Sequence, residues 1–232
     1  MITLLDEENP TWFPDPKDSS EDGLVAVSEK LGTGRLVEAY RIGVFPWMKM
    51  DHSPNFWCWF SPNPRMVLYP EKLIISDSLK RVIKNGNFEI KVDFGFTDTM
   101  RACASAKRPK QEATWIEEDM IREYTELHNM GITHSIEAFL NGERVGGLYG
   151  LAMGEVFFGE SMFHTVSNAS KVCLVYLTDL CRKAGVRLID CQVYTQHLES
   201  MGAEEITREQ YLETLKNLIS SPKSVIDWDL LS

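Results

Sequence analysis

Apolar residues recur at helical spacing through Ala169, Val172, Cys173, Tyr176, Leu177 and Leu180, and Gly185 follows the last of them. Positions three and four apart share one helix face, and a glycine just past the pattern suits a left-handed cap, so a helix closing at 185 is predicted. The same reasoning predicts a helix that carries Met120, Tyr124 and Leu127 on one face and stops at Gly131, and a shorter one, capped by Ser76 or Asp77, that stops at Gly86. Between the two longer helices the pattern reads as strands. A strand is predicted over 132–140, a tight turn at Asn141-Gly142, a returning strand over 145–152, and a third over 156–163 after Met153-Gly154. A short apolar strand follows over 186–193. The last helix opens with Thr207 and Gln210 in capping-box positions and carries Tyr211, Leu212, Leu215 and Leu218.

The first sixty-odd residues follow neither period. They hold Pro10, Trp12, Pro14, Pro16, Phe45-Pro46-Trp47, Trp57, Trp59, Pro62 and Pro64. Proline removes a backbone donor and restricts its neighbour, which argues against a long helix or a central strand. The expectation is a small, irregular N-terminal domain over 1–63 with one short helix around 36–41, followed by a larger α/β domain over 64–232 built on a central, largely antiparallel meander. There is no internal repeat.

Composition narrows the class. An apolar fraction of 44% and 10% aromatic residues describe a chain able to bury a core. No apolar run reaches the roughly 18–20 residues of a spanning helix, and the start lacks a basic leader, so a cytoplasmic protein with no membrane partner is expected. The five cysteines form no CxxC pair, which points to reduced core thiols. A net charge of −10 opposes non-specific coating of nucleic acid, yet leaves room for a local basic strip. Two stretches qualify: Lys80, Arg81, Lys84 and Lys91, and Arg101, Lys107, Arg108 and Lys110. A charge run of this kind is usually a solvated face.

Candidate chemistry lies on the later strands. By alternation Asp190 and Gln192 share one face while Cys191 takes the other, and Glu160 and Met162 share a face, setting a carboxylate beside a soft apolar wall. Asn168-Ala169-Ser170-Lys171 opens a helix, where free amides favour a phosphate or carboxylate, unless Ser167 or Asn168 simply caps it. His52, His128, His134, His164 and His197 show no ligand spacing, and no metal is expected. Gly146-Gly147, with Gly150, lies inside a hairpin, so close backbone approach or a bulge is expected there, not a phosphate cradle.

Seven segments together resemble the leucyl/phenylalanyl-tRNA–protein transferase family. They are Gly43-Val44-Phe45-Pro46-Trp47, Trp59-Phe60-Ser61-Pro62 with Pro64-Arg65, Thr114-Trp115-Ile116, Gly146-Gly147-Leu148-Tyr149-Gly150, Gly159-Glu160-Ser161-Met162-Phe163, Asn168-Ala169-Ser170-Lys171 and Leu188-Ile189-Asp190-Cys191-Gln192. Each is short, but their joint occurrence in order is specific. Two departures stand out: Ser28-Glu29-Lys30-Leu31 where the family usually has Gly-Gly-Asp-Leu, and Leu148 where a methionine is common.

The resemblance implies an acetyltransferase-like C-terminal domain, Leu-tRNA or Phe-tRNA as donor, and an acceptor protein or peptide beginning with Arg or Lys. It implies no cofactor, because the aminoacyl ester is already activated and positioning is most of the task. By the same resemblance Asp190 is the polarising or proton-accepting partner, Gln192 orients the attacking amine, and Glu160 holds a cationic group. Trp47 and Trp115 are then candidates to stack on the terminal adenosine, and Leu148, Phe157, Met162, Leu174 and Ile189 to form the donor pocket. Asn168 and Ser170 join the substrate site, Lys80, Arg81 and Lys84 the tRNA surface, and a monomer is expected. Three rivals remain: an acyl-CoA-dependent acetyltransferase, disfavoured because 164–170 contains no glycine; a non-catalytic binder of peptide N-termini; and a transferase of altered specificity, such as Arg onto acidic N-termini.

Overall fold

The computed structural model describes residues 2–50, 52–106, 114–220 and 225–228. The N-terminal segment is more regular than its prolines suggest. Strands β1 (Leu24–Ser28), β2 (Phe45–Met50) and β3 (Ser53–Phe60) form an antiparallel sheet in the order β1-β3-β2, with helix α1 (Thr33–Arg41) between the first two. The expectation of an irregular domain is therefore corrected. Pro46 sits on an edge strand beside a register shift, and Pro54 lies near the start of β3, so neither removes a needed ladder bond. The indoles of Trp57 and Trp59 are fully buried and tethered, Trp59 Nε1 donating to Ser28 Oγ at 2.8 Å and Trp57 Nε1 to Asp119 Oδ2 at 3.0 Å. Ser28 thus has a defined place in the stretch that departs from the family pattern.

The second sheet starts at β4 (Arg65–Leu68) and adds β5 (Glu89–Val92), β6 (Thr133–Leu140), β7 (Glu143–Met153), β8 (Val156–His164), β9 (Leu188–Gln192) and β10 (Glu204–Ile206). Its order is β10-β4-β9-β8-β7-β6-β5, antiparallel throughout except for the β8/β9 pair. Asn141 and Gly142 take φ of 52° and 83°, the left-handed pair that a two-residue hairpin demands. The class is the expected one, mixed α/β with a largely antiparallel sheet and a small N-terminal domain.

Helices α3 (Phe96–Ser105), α4 (Glu118–Asn129) and α7 (Arg208–Leu218) pack with α1 and the N-terminal sheet on one face of this sheet. Helices α2 (Asp77–Lys84) and α5 (Ala169–Ala184) cover the other. A short helix, α6 (Gln196–Glu199), follows β9. Ser76 caps α2, Thr207 and Gln210 form a reciprocal capping box on α7, and Gly185 ends α5 at φ 82°. Helix α3 and strands β4, β5 and β10 were not foreseen, because they are short or, like Phe-Thr-Asp-Thr-Met in α3, break the apolar period with polar positions. The five cysteines are all thiols, four of them buried. Among the described residues no helix is long and apolar enough to cross a membrane.

Candidate active site

Backbone pairing between β8 and β9 runs from Val156/Leu188 to Phe158/Asp190 and then stops. Glu160 and Gln192 lie just beyond the last pair, where a hydrogen bond from Gln192 Nε2 to Glu160 Oε1 at 2.5 Å spans the two strands. Tyr40 of α1 also donates to Glu160 Oε1 at 2.5 Å, and Tyr124 of α4 to Oε2 at 3.4 Å, while the two phenol oxygens lie 2.5 Å apart. Burial pushes the Glu160 carboxyl up to about 7, against the lowering effect of the Tyr40 and Gln192 hydrogen bonds. Burial and the neighbouring Glu160 carboxylate raise both tyrosines well above the ordinary phenol value, so they remain donors.

A bulge sets the direction of Glu160. The β7/β8 register runs Tyr149 to Ser161 and then Gly150 to Gly159, which leaves Glu160 as the extra residue. The expected sharing of a face by Glu160 and Met162 is therefore wrong: Glu160 turns toward Tyr40 and Tyr124, whereas Met162 packs on the α5 side. A Cβ at Gly150 would stand 2.1 Å from the Phe158 carbonyl oxygen, so glycine there permits the close approach that the bulge needs.

Asp190 and Gln192 do share a face, with Cys191 packed on the other side. Asp190 is fully buried, and both its oxygens are engaged: Arg65 donates from Nε to Oδ1 at 2.9 Å and from Nη2 to Oδ2 at 2.6 Å, Tyr211 OH donates to Oδ2 at 2.8 Å, and the Gln192 amide to Oδ1 at 2.9 Å. A carboxylate so enclosed adjoins Gln192 through the Gln192 backbone amide. Burial works against the Arg65 charge, but Asp190 beside it carries the guanidinium pKa above its usual value.

Of the expected apolar pocket, Leu148, Phe157, Leu174 and Ile189 come together in the buried α5-side core, with Met162 half-buried against it. They face away from Tyr40 and Tyr124, across the sheet, so the divergence of β8 and β9 is the place where the two sides adjoin. Trp47 and Trp115 are half-buried against the α1/α4-side core, Trp47 meeting Phe60 edge-on at 5.3 Å between centroids. Asn168 stands at the N-cap of α5 with φ 70° and no side-chain cap bond, while buried Ser170 has Oγ 3.2 Å from His164 Nδ1. The helix start presses on β7, where a Cβ at Gly146 would meet the Ala169 Cβ at 2.6 Å.

Lys80, Arg81 and Lys84 are exposed on α2, on the sheet face opposite the two tryptophans. Lys80 pairs with Asp77 at 3.1 Å. Lys91 is separate from that strip, lying over the rings of Phe94 and Phe139. Arg101 faces Glu118 at 3.4 Å, and Lys107, Arg108 and Lys110 fall outside the described residues.

Three further features escaped the sequence. Tyr40 and Tyr124 carry no local mark of their tertiary role, and Arg65 entered only as part of the Pro64-Arg65 motif, with no role attached. Asp93, His128 and His134, distant in sequence, gather with ligand-type atoms within 4.8 Å of one another. Their polar atoms have internal partners: His134 Nδ1 meets Asp93 Oδ2 at 2.7 Å and Nε2 the Gly131 carbonyl at 3.2 Å, and His128 Nδ1 meets the Thr133 carbonyl at 2.7 Å.

Comparison with known proteins bears on the whole arrangement. The family model for leucyl/phenylalanyl-tRNA protein transferase matches residues 67–216, and that for its N-terminal domain matches 29–63. The leucyl/phenylalanyl-tRNA–protein transferase of Nitrosospira multiformis is 50% identical over 86% of this chain and 84% of its own, and that of Nitrosomonas eutropha 46% identical over 98% and 96%. Among solved structures, a GCN5-related N-acetyltransferase from Kribbella flavida aligns with a TM-score of 0.36 at 12% identity, over 61% of this chain and 53% of that one. With both family models matched in order and relatives aligned along nearly their full length, the chain belongs to the leucyl/phenylalanyl-tRNA protein transferase family.

Proposed function

We propose that this protein transfers leucine or phenylalanine from charged tRNA to the N-terminal amino group of proteins that begin with Arg or Lys, marking them for degradation. The observation that carries the reading is the Gln192–Glu160 bridge at the mouth of the β8/β9 divergence, with an apolar cluster on one side and a tyrosine-ringed carboxylate on the other. The donor side chain takes the apolar side, against Leu148, Phe157, Met162, Leu174 and Ile189. The acceptor's cationic end takes the side of Glu160. A cytoplasmic setting fits, because charged tRNA is made there.

The acceptor amine attacks the ester carbonyl carbon; the new C–N bond forms, the bond to the ribose oxygen breaks, and the amine proton leaves as that oxygen becomes a hydroxyl. The free amine has a pKa near 7.7–8, so orientation of its neutral form matters. Gln192 donates from Nε2 to Glu160, which leaves Oε1 to accept from the amine and aim its lone pair. Trp47 and Trp115 hold the terminal adenosine by stacking, Asn168 and Ser170 line the approach, and Lys80, Arg81 and Lys84 meet the tRNA body.

The test is to mix the protein with separately charged Leu-, Phe- and Arg-tRNA and with peptides beginning with Arg, Lys, Asp or Glu. Leu and Phe should pass to Arg- and Lys-first peptides alone, with acetyl-CoA inert. Transfer of Arg to acidic N-termini, or acetylation, would replace this reading with one of its rivals.

A further inference from the structure

Gln192 is held in a conformation that side chains rarely adopt. Its φ is 63°, and the Val193 amide donates to the Cys191 carbonyl at 2.8 Å, closing a three-residue turn around it. Such a turn is strained in a non-glycine residue and persists only where its surroundings fix it. The fixing contact is the bond from the Gln192 amide to Asp190 Oδ1 at 2.9 Å. Asp190 is fixed in turn by the two-pronged grip of Arg65 and by the Tyr211 hydroxyl.

We infer that Arg65 and Tyr211 are positioning residues for the transfer reaction, which act through Asp190 to keep Gln192 in its left-handed turn with its amide between β8 and β9. The grip is itself over-determined. The Arg65 guanidinium lies between the rings of Phe45 and Tyr211, at 4.8 and 4.5 Å from their centroids, and Nη1 donates to the Gly43 carbonyl at 3.4 Å. An isolated buried ion pair seldom adds net stability, because desolvating both charges offsets their attraction. Here it yields geometry: β4, β9 and α7 converge on one carboxylate whose Oδ1 also accepts from one backbone amide. The turn brings the Gln192 side chain to Glu160, and a relaxed backbone would swing it away.

This inference rests on the proposed role of Gln192, and one double-mutant cycle separates the two. Tyr211→Phe removes the hydroxyl's bonds to Asp190 and Arg65 and keeps the ring; Arg65→Lys keeps the charge but not the planar two-pronged contact. Each should lower the single-turnover transfer rate by about 10- to 100-fold, the scale of a misplacement of about 1 Å, with the KM for charged tRNA unchanged. In a Gln192→Ala background neither change should lower the rate further, since the oriented amide is already gone. Additive losses in that background would show a general structural role and overturn the inference, as would a normal rate in Tyr211→Phe and Arg65→Lys enzymes. A normal rate in Gln192→Ala alone would instead remove the role given to Gln192. Thermal unfolding of each variant, with rates taken well below its Tm, keeps loss of fold apart from loss of aim.

Discussion

Gln192 Nε2 and Glu160 Oε1 stand 2.5 Å apart across two parallel strands whose backbones have ceased to pair. Once the ladder ends, the side chains close the gap. The carboxylate is the more responsive partner, because burial has brought its titration near neutrality.

Acid should therefore weaken recognition of a cationic acceptor. With the Glu160 pKa pushed up to about 7 by burial, protonation below that pH removes the negative charge. The ratio of KM values for Arg-first and Ala-first peptides cancels titration of the amine common to both. That ratio should lose its preference for Arg as pH falls from about 8 to about 6. In Glu160→Gln it should be flat and show little preference. Stability runs the opposite way. A carboxyl whose folded pKa lies above its ordinary 4.5 binds its proton more tightly in the folded state, so its contribution falls as pH rises from 4.5 to about 7 and then levels. Comparison of Tm against pH for the two proteins should show that decline only in the one with Glu160.

Trp47 and Trp115 should act on tRNA and not on chemistry. If each stacks on the terminal adenosine, alanine at either position removes about 1–3 kcal/mol, raising the KM for charged tRNA by roughly 5- to 150-fold at a similar kcat. Both rings also pack against the α1/α4-side core, so a fall in Tm accompanied by an unchanged KM would make them core-filling residues instead.

Transfer should weaken with salt, since an acidic protein holds tRNA through few phosphate contacts, each worth a slope of about 0.7–0.9 in log affinity against log salt. Charge reversal at Lys80, Arg81 and Lys84 should raise the KM for tRNA and flatten that slope. If those variants bind normally and reversal of Arg101 does not, the tRNA body lies on the tryptophan side of the sheet.

Gly150→Ala should be among the more destabilising single changes in the sheet. Its Cβ would fall 2.1 Å from the Phe158 carbonyl oxygen and 2.7 Å from a Phe157 ring carbon. Backbone cannot yield as a flexible side chain does, so a loss of about 1–3 kcal/mol is expected in denaturant unfolding. Because the shift displaces the bulge, activity should fall even in the folded fraction. An alanine variant with wild-type stability and rate would show that the bulge does not need the glycine.

What the sequence determined by itself is what local chemistry encodes. The 3.6-residue period and Gly185 defined α5, the Asn141-Gly142 pair defined the β6/β7 hairpin, and Thr207 with Gln210 defined the start of α7. The order of short motifs was enough to suggest the family, and alternation put Asp190 and Gln192 on one face. Tertiary structure decided whatever depended on departures from regularity or on distant partners. Strict alternation assigned Glu160 and Met162 to one face, but a bulge, which is set by pairing with Tyr149 and Gly150, parted them. Prolines hid the N-terminal sheet because their cost depends on whether a strand is an edge, and neighbours alone settle that. Above all, no local pattern could show that Asp190 is already claimed. Its two oxygens are engaged by Arg65, 125 residues earlier, and Tyr211, 21 residues later, a closure that depends on contacts far apart in the chain.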